Sequence, residues 1–134
     1  MAFDFACPDW AERLADGRSL LPDLPLDHGE ADRAVGIFNR LRLPDVAGTP
    51  TLEDAAGEWQ RDIVRALFGS LIEGRRMVPE LLALVPKKNS KTTGGAAISI
   101  TALLMNERPL GEFIYVGPTQ EIANRAFEQA VGMI

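Results

Sequence analysis

Five consecutive apolar residues, 81–85, run into Pro86 and then into the cationic stretch Lys87-Lys88-Asn89-Ser90-Lys91-Thr92-Thr93, which opens onto the small, apolar residues 94–105. No other part of the chain restricts its folding as much. A short apolar run suits a buried strand, Pro86 and the polar residues after it make a turn, and the following segment suits a buried helix. All three lysines of the 134 residues lie in this turn, and positive charge elsewhere is carried only by arginine. Strand, cationic turn and buried helix in that order form the setting of a phosphate-binding loop.

The rest of the chain supports an α/β reading. Residues 8–30 hold Pro8, Pro22, Pro25, Gly17 and Gly29 among aspartates, which predicts loop with one short helix from Trp10 to Ala15. Asp32 is a candidate cap for a helix over 33–41, with Ala34, Val35, Phe38 and Leu41 at helical spacing. Pro44, Gly48 and Pro50 mark a linker, and Thr51-Leu52-Glu53-Asp54 reads as a capped helical start. Trp59, Ile63, Val64, Leu67 and Phe68 form an apolar stripe that predicts a helix of about 12 residues ending near Gly69. On this reading Trp59 is a core residue, and Arg75-Arg76 lead into the first strand. The second strand is Phe113-Ile114-Tyr115-Val116, and Thr119 caps a last helix from Gln120 to about Met133. Alternating strands and helices predict a parallel sheet with right-handed crossovers. Residues 1–50 then form an acidic loop and helical segment, and 51–134 the beginning of an α/β domain that carries the cationic turn.

Charge and cysteine usage narrow the function classes. Residues 1–58 carry 12 acids and 5 arginines, a balance of −7, whereas 59–134 carry 7 acids and 9 bases, a balance of +2. The second half is therefore the part expected to meet anions. A pI near 4.9 argues against direct DNA binding through a broad basic face. The single cysteine, Cys7, excludes an internal disulfide framework and fits a reducing compartment. One histidine, His28, far from Cys7, makes a Cys/His metal site a poor expectation. Residues 1–15 lack a signal-peptide pattern, and the apolar segment 96–105 is too short to span a bilayer, so a cytoplasmic protein without membrane partners is expected.

The common phosphate loop reads G-x-x-x-x-G-K-[ST]. Lys91-Thr92 fit its last two positions, but Val85 and Ser90 stand where the glycines would be. Ser90 must then adopt a glycine-favoured geometry or the loop is altered, at a cost on the order of 1 kcal/mol. Lys87, four residues before Lys91, supplies a second cation near a γ-phosphate. For an isolated Lys-Thr pair, a solvated basic turn would be the better reading. The flanking apolar segments and the concentration of lysines favour phosphate.

The ordered set Val85-Pro86-Lys87-Lys88-Asn89-Ser90-Lys91-Thr92, with Glu58-Trp59-Gln60-Arg61 upstream and Phe113-Ile114-Tyr115-Val116-Gly117-Pro118-Thr119 downstream, resembles the large terminase subunits of tailed phages and prophages over roughly residues 30–134. That resemblance implies an incomplete P-loop NTPase sheet of the ASCE type and an ATP- and Mg2+-dependent motor that packages double-stranded DNA into procapsids. An RNase H-like nuclease domain would normally follow. It further implies the bacterial host cytoplasm, with the small terminase subunit and the portal as partners. Carried over by position, Lys91 is the phosphate lysine, Thr92 the magnesium ligand and Gln60 the adenine-recognising residue. Lys87, in place of a loop arginine, takes the catalytic role. Lys88, Asn89 and Ser90 complete the nucleotide loop, with Asn89 able to serve as a loop-shaping residue only. No strand ending in Asp-Glu follows residue 93, so the fragment is expected to stop before Walker B and to be inactive in hydrolysis alone. The alternative is a catalytically inactive prophage remnant that acts as an interaction module through its acidic first half.

Overall fold

The structure, a computed structural model, describes residues 6–134. Six helices and one hairpin follow in chain order: α1 Trp10–Ala15, α2 His28–Arg40, α3 Leu52–Ala55, α4 Glu58–Gly69, β1 Leu71–Ile72, β2 Arg75–Arg76, α5 Lys91–Leu104 and α6 Gln120–Gly132. Contacts divide the chain into two units. One joins the residues up to Val35 with Gly57–Leu81; the other joins Gly36–Ala56 with Leu82–Ile134.

The helices lie close to where periodicity predicts them. α4 spans 12 residues and ends at Gly69 as expected, and α6 starts at Gln120 with the Thr119 hydroxyl accepting from the Ile122 N–H at 3.3 Å. α2 begins earlier than Asp32. The Asp27 carboxylate accepts from the Glu30 N–H at 3.0 Å, so Asp27 caps the first turn and Ala31 joins Ala34, Phe38 and Leu41 in burial.

The expected α/β fold with a parallel P-loop sheet is not formed. The described residues are 48% helical, and the sheet among them is a two-stranded antiparallel hairpin. Residues 81–85 and 113–116, read as parallel strands, carry no strand structure; Leu82, Leu84, Ile114 and Val116 are 78–90% exposed. The physical reason is pairing. A parallel strand needs neighbours on its edges and cover on both faces, and two such segments are too few to supply either. α5 packs instead against α6. It buries Ala96, Ala97, Ile100 and Thr101, while Leu103 and Leu104, expected inside, stay about half exposed.

Arg75-Arg76 do not lead into a strand at residue 81 but form β2, paired in register Leu71↔Arg76 and Ile72↔Arg75. The two turn residues, Glu73 and Gly74, have φ of 49° and 74°. Positive φ at both positions defines the turn whose twist matches a two-residue hairpin. Arg76 then lies over the Phe68 ring, 4.9 Å from its centroid.

In the first unit α4 is closely held. The Gly69 carbonyl accepts from the Asp27 N–H at 2.7 Å, and a Cβ added to Gly69 would lie 2.5 Å from the Ala31 Cβ. In the second unit the Arg42 N–H donates to the Met133 carbonyl at 3.1 Å, and Leu52 N–H to the Leu41 carbonyl at 2.8 Å, tying the linker to the helices around it.

Candidate functional site

The lysine loop begins where Pro86 ends the apolar run. The Asn89 side-chain amide donates to the Pro86 carbonyl at 3.2 Å, closing the turn on itself, which gives Asn89 a loop-shaping role. Lys88 and Ser90 both sit in the left-handed region, at φ of 69° and 53°. Ser90 immediately precedes α5, and its hydroxyl makes no capping bond to the helix. The position that a phosphate loop gives to glycine is thus held by serine in the glycine-favoured conformation.

The first intrahelical bond of α5 runs from the Gly94 N–H to the Ser90 carbonyl at 2.7 Å. The N–H groups of Lys91, Thr92 and Thr93 therefore have no partner within the helix, and the positive end of the helix dipole coincides with them. Lys91 and Thr92 line a cleft of about 400 Å³ whose other walls come from Gly95, Ser99, Tyr115, Gly117 and Ala123. All three lysines are exposed, and among the described residues no carboxylate pairs with any of them. Among the described residues no ion pair offsets the cationic charge of this end of α5, which is the electrostatic condition for holding an anion.

The second wall of the cleft depends on a close backbone approach. A Cβ at Gly117 would lie 3.0 Å from the Ala123 N and 3.3 Å from the Thr119 carbonyl oxygen. Glycine lets residues 115–117 fold against the start of α6, and Tyr115 is brought to the cleft as a result. Tyr115 was not singled out as a site residue by sequence reasoning; Gly117-Pro118 after an apolar tetrad is the signal that a chain reversal presents its last residues.

Lys91 and Thr92 share the cleft, and Lys87, Lys88, Asn89 and Ser90 form the turn that leads to it. Gln60 belongs to the first unit, in the first turn of α4, and is buried at 7% exposure. Trp59, expected in the core, is 44% exposed instead. Its indole packs over Gly57, where an added Cβ would come within 2.8 Å of the ring. The buried stripe of α4 is Gln60, Val64 and Phe68, one residue round from Trp59, Ile63 and Leu67.

That second stripe lines an apolar groove of about 880 Å³ in the first unit, walled by residues 17–24 and by Val78 and Leu81. On its rim Arg65 donates to Glu58 at 2.7 Å and to Asp62 at 2.8 Å. The hydrogen bond from Arg65 holds the Glu58 carboxyl below its ordinary value despite partial burial. Against burial that would lower it, the Arg65 guanidinium is raised by its bonds to Glu58 and Asp62.

Among the described residues no group of three or more His, Cys, Asp or Glu side chains is placed to hold a metal ion. No helix there is long and apolar enough to cross a membrane. No known family, curated protein or solved structure matches the chain.

Proposed function

We propose that the loop of residues 86–92 binds the polyphosphate of magnesium-ATP, and that the chain is a nucleotide-binding part of a large terminase subunit acting in the host cytoplasm. The observation that carries the reading is the cleft at the start of α5: Lys91 and Thr92 line it directly behind a turn with two left-handed residues. Lys91 would meet phosphate oxygens, and the Thr92 hydroxyl would ligate the magnesium that neutralises them. The N–H groups opening α5 would donate to the phosphate oxygens at the positive end of the helix. Lys87 would add charge at the γ-phosphate, as a point cation without the planar fork of an arginine. Double-stranded DNA, the small terminase subunit and the portal would be partners of the assembled motor. Binding, not hydrolysis, is assigned to these residues, because residues 86–92 include no carboxylate to activate an attacking water.

Thermal unfolding with and without magnesium-ATP, beside Lys91→Ala, tests this. A ligand that binds only the folded state stabilises it by RT ln(1 + [L]/Kd), about 2.7 kcal/mol at a hundred times Kd. The melting temperature of the parent should rise and that of Lys91→Ala should not. An unchanged melt in the parent, at ATP concentrations into the millimolar range, would remove the assignment.

A further inference from the structure

The groove of the first unit is used by nothing in the nucleotide reading, and its geometry has a direction. Trp59, Ile63 and Leu67 follow one another at i, i+4 and i+8 on α4, a straight apolar floor of roughly 12 Å at 1.5 Å per residue. The facing wall is built before any partner arrives. The Arg13 guanidinium donates to the Leu21 carbonyl at 3.1 Å, and Ser19 donates from its hydroxyl to the Asp62 carboxylate at 2.6 Å, fastening the 17–24 loop to α4. Yet Leu14, Leu20, Trp59 and Leu81 remain 42–61% exposed along it. A small molecule seated on the floor would leave those walls wet; a rod lying in the groove would cover them.

From the floor, the braced wall and the charge around them we propose that this groove receives an amphipathic, cationic helix of a partner protein. The apolar face of such a helix presents side chains at the same i, i+4 spacing as the floor. The sign follows from the unit's own charge. Its described residues carry 11 carboxylates and 7 arginines, a balance of −4. The charges that line the groove balance, Glu58 and Asp62 against Arg18 and Arg65, so the negative excess belongs to the unit around it. A second copy of this chain, itself at −5, is the wrong sign to be the occupant.

The test uses the whole chain and two designed, fluorescently labelled helical peptides with the same leucine pattern, one filled with lysine and one with glutamate. Anisotropy titrations should give saturable binding of the lysine peptide and at least roughly tenfold weaker binding of the glutamate peptide. Leu81→Asp and Leu20→Asp, both at half-exposed positions and checked for unchanged circular dichroism, should each weaken the lysine peptide by roughly tenfold. These variants also add negative charge, so attraction that is merely electrostatic would instead tighten. Unchanged or tighter binding by both variants would overturn the proposal, as would equal binding of the two peptides. So would failure of both peptides while a small apolar dye binds in a Leu81-dependent way, or concentration-dependent self-association that Leu81→Asp abolishes.

Discussion

Replacing Gly69 by alanine tests the packing that holds α4 in the first unit. Gly69 is the last residue of that helix and is not in the left-handed region, so helix propensity alone would make alanine favourable by about 0.5–1 kcal/mol. Space argues the other way. The new Cβ would meet the Ala31 Cβ at 2.5 Å, its Cα at 3.0 Å and its N at 3.2 Å. These are atoms at the root of α2, with no flexible end to swing aside, and the Gly69 carbonyl is tied to the Asp27 N–H at 2.7 Å. Overpacking of this kind costs about 1–3 kcal/mol, and backbone neighbours put it at the upper end, so the net loss should be about 2 kcal/mol. Urea denaturation followed by helical circular dichroism measures it, with the slope checked for constancy. Ala31→Gly in the same background removes the 2.5 Å contact but not the other two, so it should restore part of the loss and give a favourable coupling in the double-mutant cycle. A Gly69→Ala protein that is as stable as the parent or more so would refute the close approach of α2 and α4.

Ser90→Gly should be neutral or stabilising by up to about 0.5 kcal/mol, because relief of left-handed strain offsets the added freedom of the unfolded chain, and it should keep the response to ATP. Its urea midpoint decides; a loss near 1 kcal/mol would mean that the serine hydroxyl caps α5 after all. Among the lysines, Lys91→Ala should reduce ATP affinity by roughly 10–100-fold, the range of a charged hydrogen bond, and Lys87→Ala by only a few-fold, as for an exposed charge. Calorimetric titration showing equal losses at Lys87, Lys88 and Lys91 would indicate a diffuse basic turn instead of a cleft. Glu58 has a lowered folded-state pKa, so its contribution is present above the ordinary value of 4.5 and disappears as pH falls through the lower folded value. Glu58→Gln should thus cost about 0.5 kcal/mol at neutral pH, after solvent screening, and nothing in acid, as read from melts across that range.

The helices were legible because each carries its own hydrogen bonds and a period that one sequence window contains. The Trp10–Ala15 and Glu58–Gly69 spans and the Thr119 cap were all readable from spacing and cap chemistry. The lysine turn was legible for the same reason: Pro86, Asn89 and Ser90 are local signals, and the structure places Lys91 at the helix start that they announce. Trp59 was misread because an apolar stripe gives the width of a face but not which edge of it meets the core. Gln60 takes the buried place beside Val64 and Phe68, a choice made by neighbours distant in sequence. The groove was invisible for that reason too, since its wall depends on Ser19 meeting Asp62, 43 residues away.

Strands fail differently, and the hairpin explains how. Leu71-Ile72 is a weaker strand signal than residues 81–85 or 113–116, with two apolar residues against five and four. It nevertheless pairs, because Glu73-Gly74 brings Arg75-Arg76 back within two residues and supplies its partner at almost no loop-closure cost. The longer segments have the composition of buried strands but no such return, and a parallel partner requires a crossover and neighbours on both sides. Apolar composition therefore decides what a segment would gain from pairing, while the turn beside it decides whether pairing occurs. Among the described residues Glu73-Gly74, between Ile72 and Arg75, is the turn that gives an apolar pair this second half, and there the fold makes its two-stranded ladder.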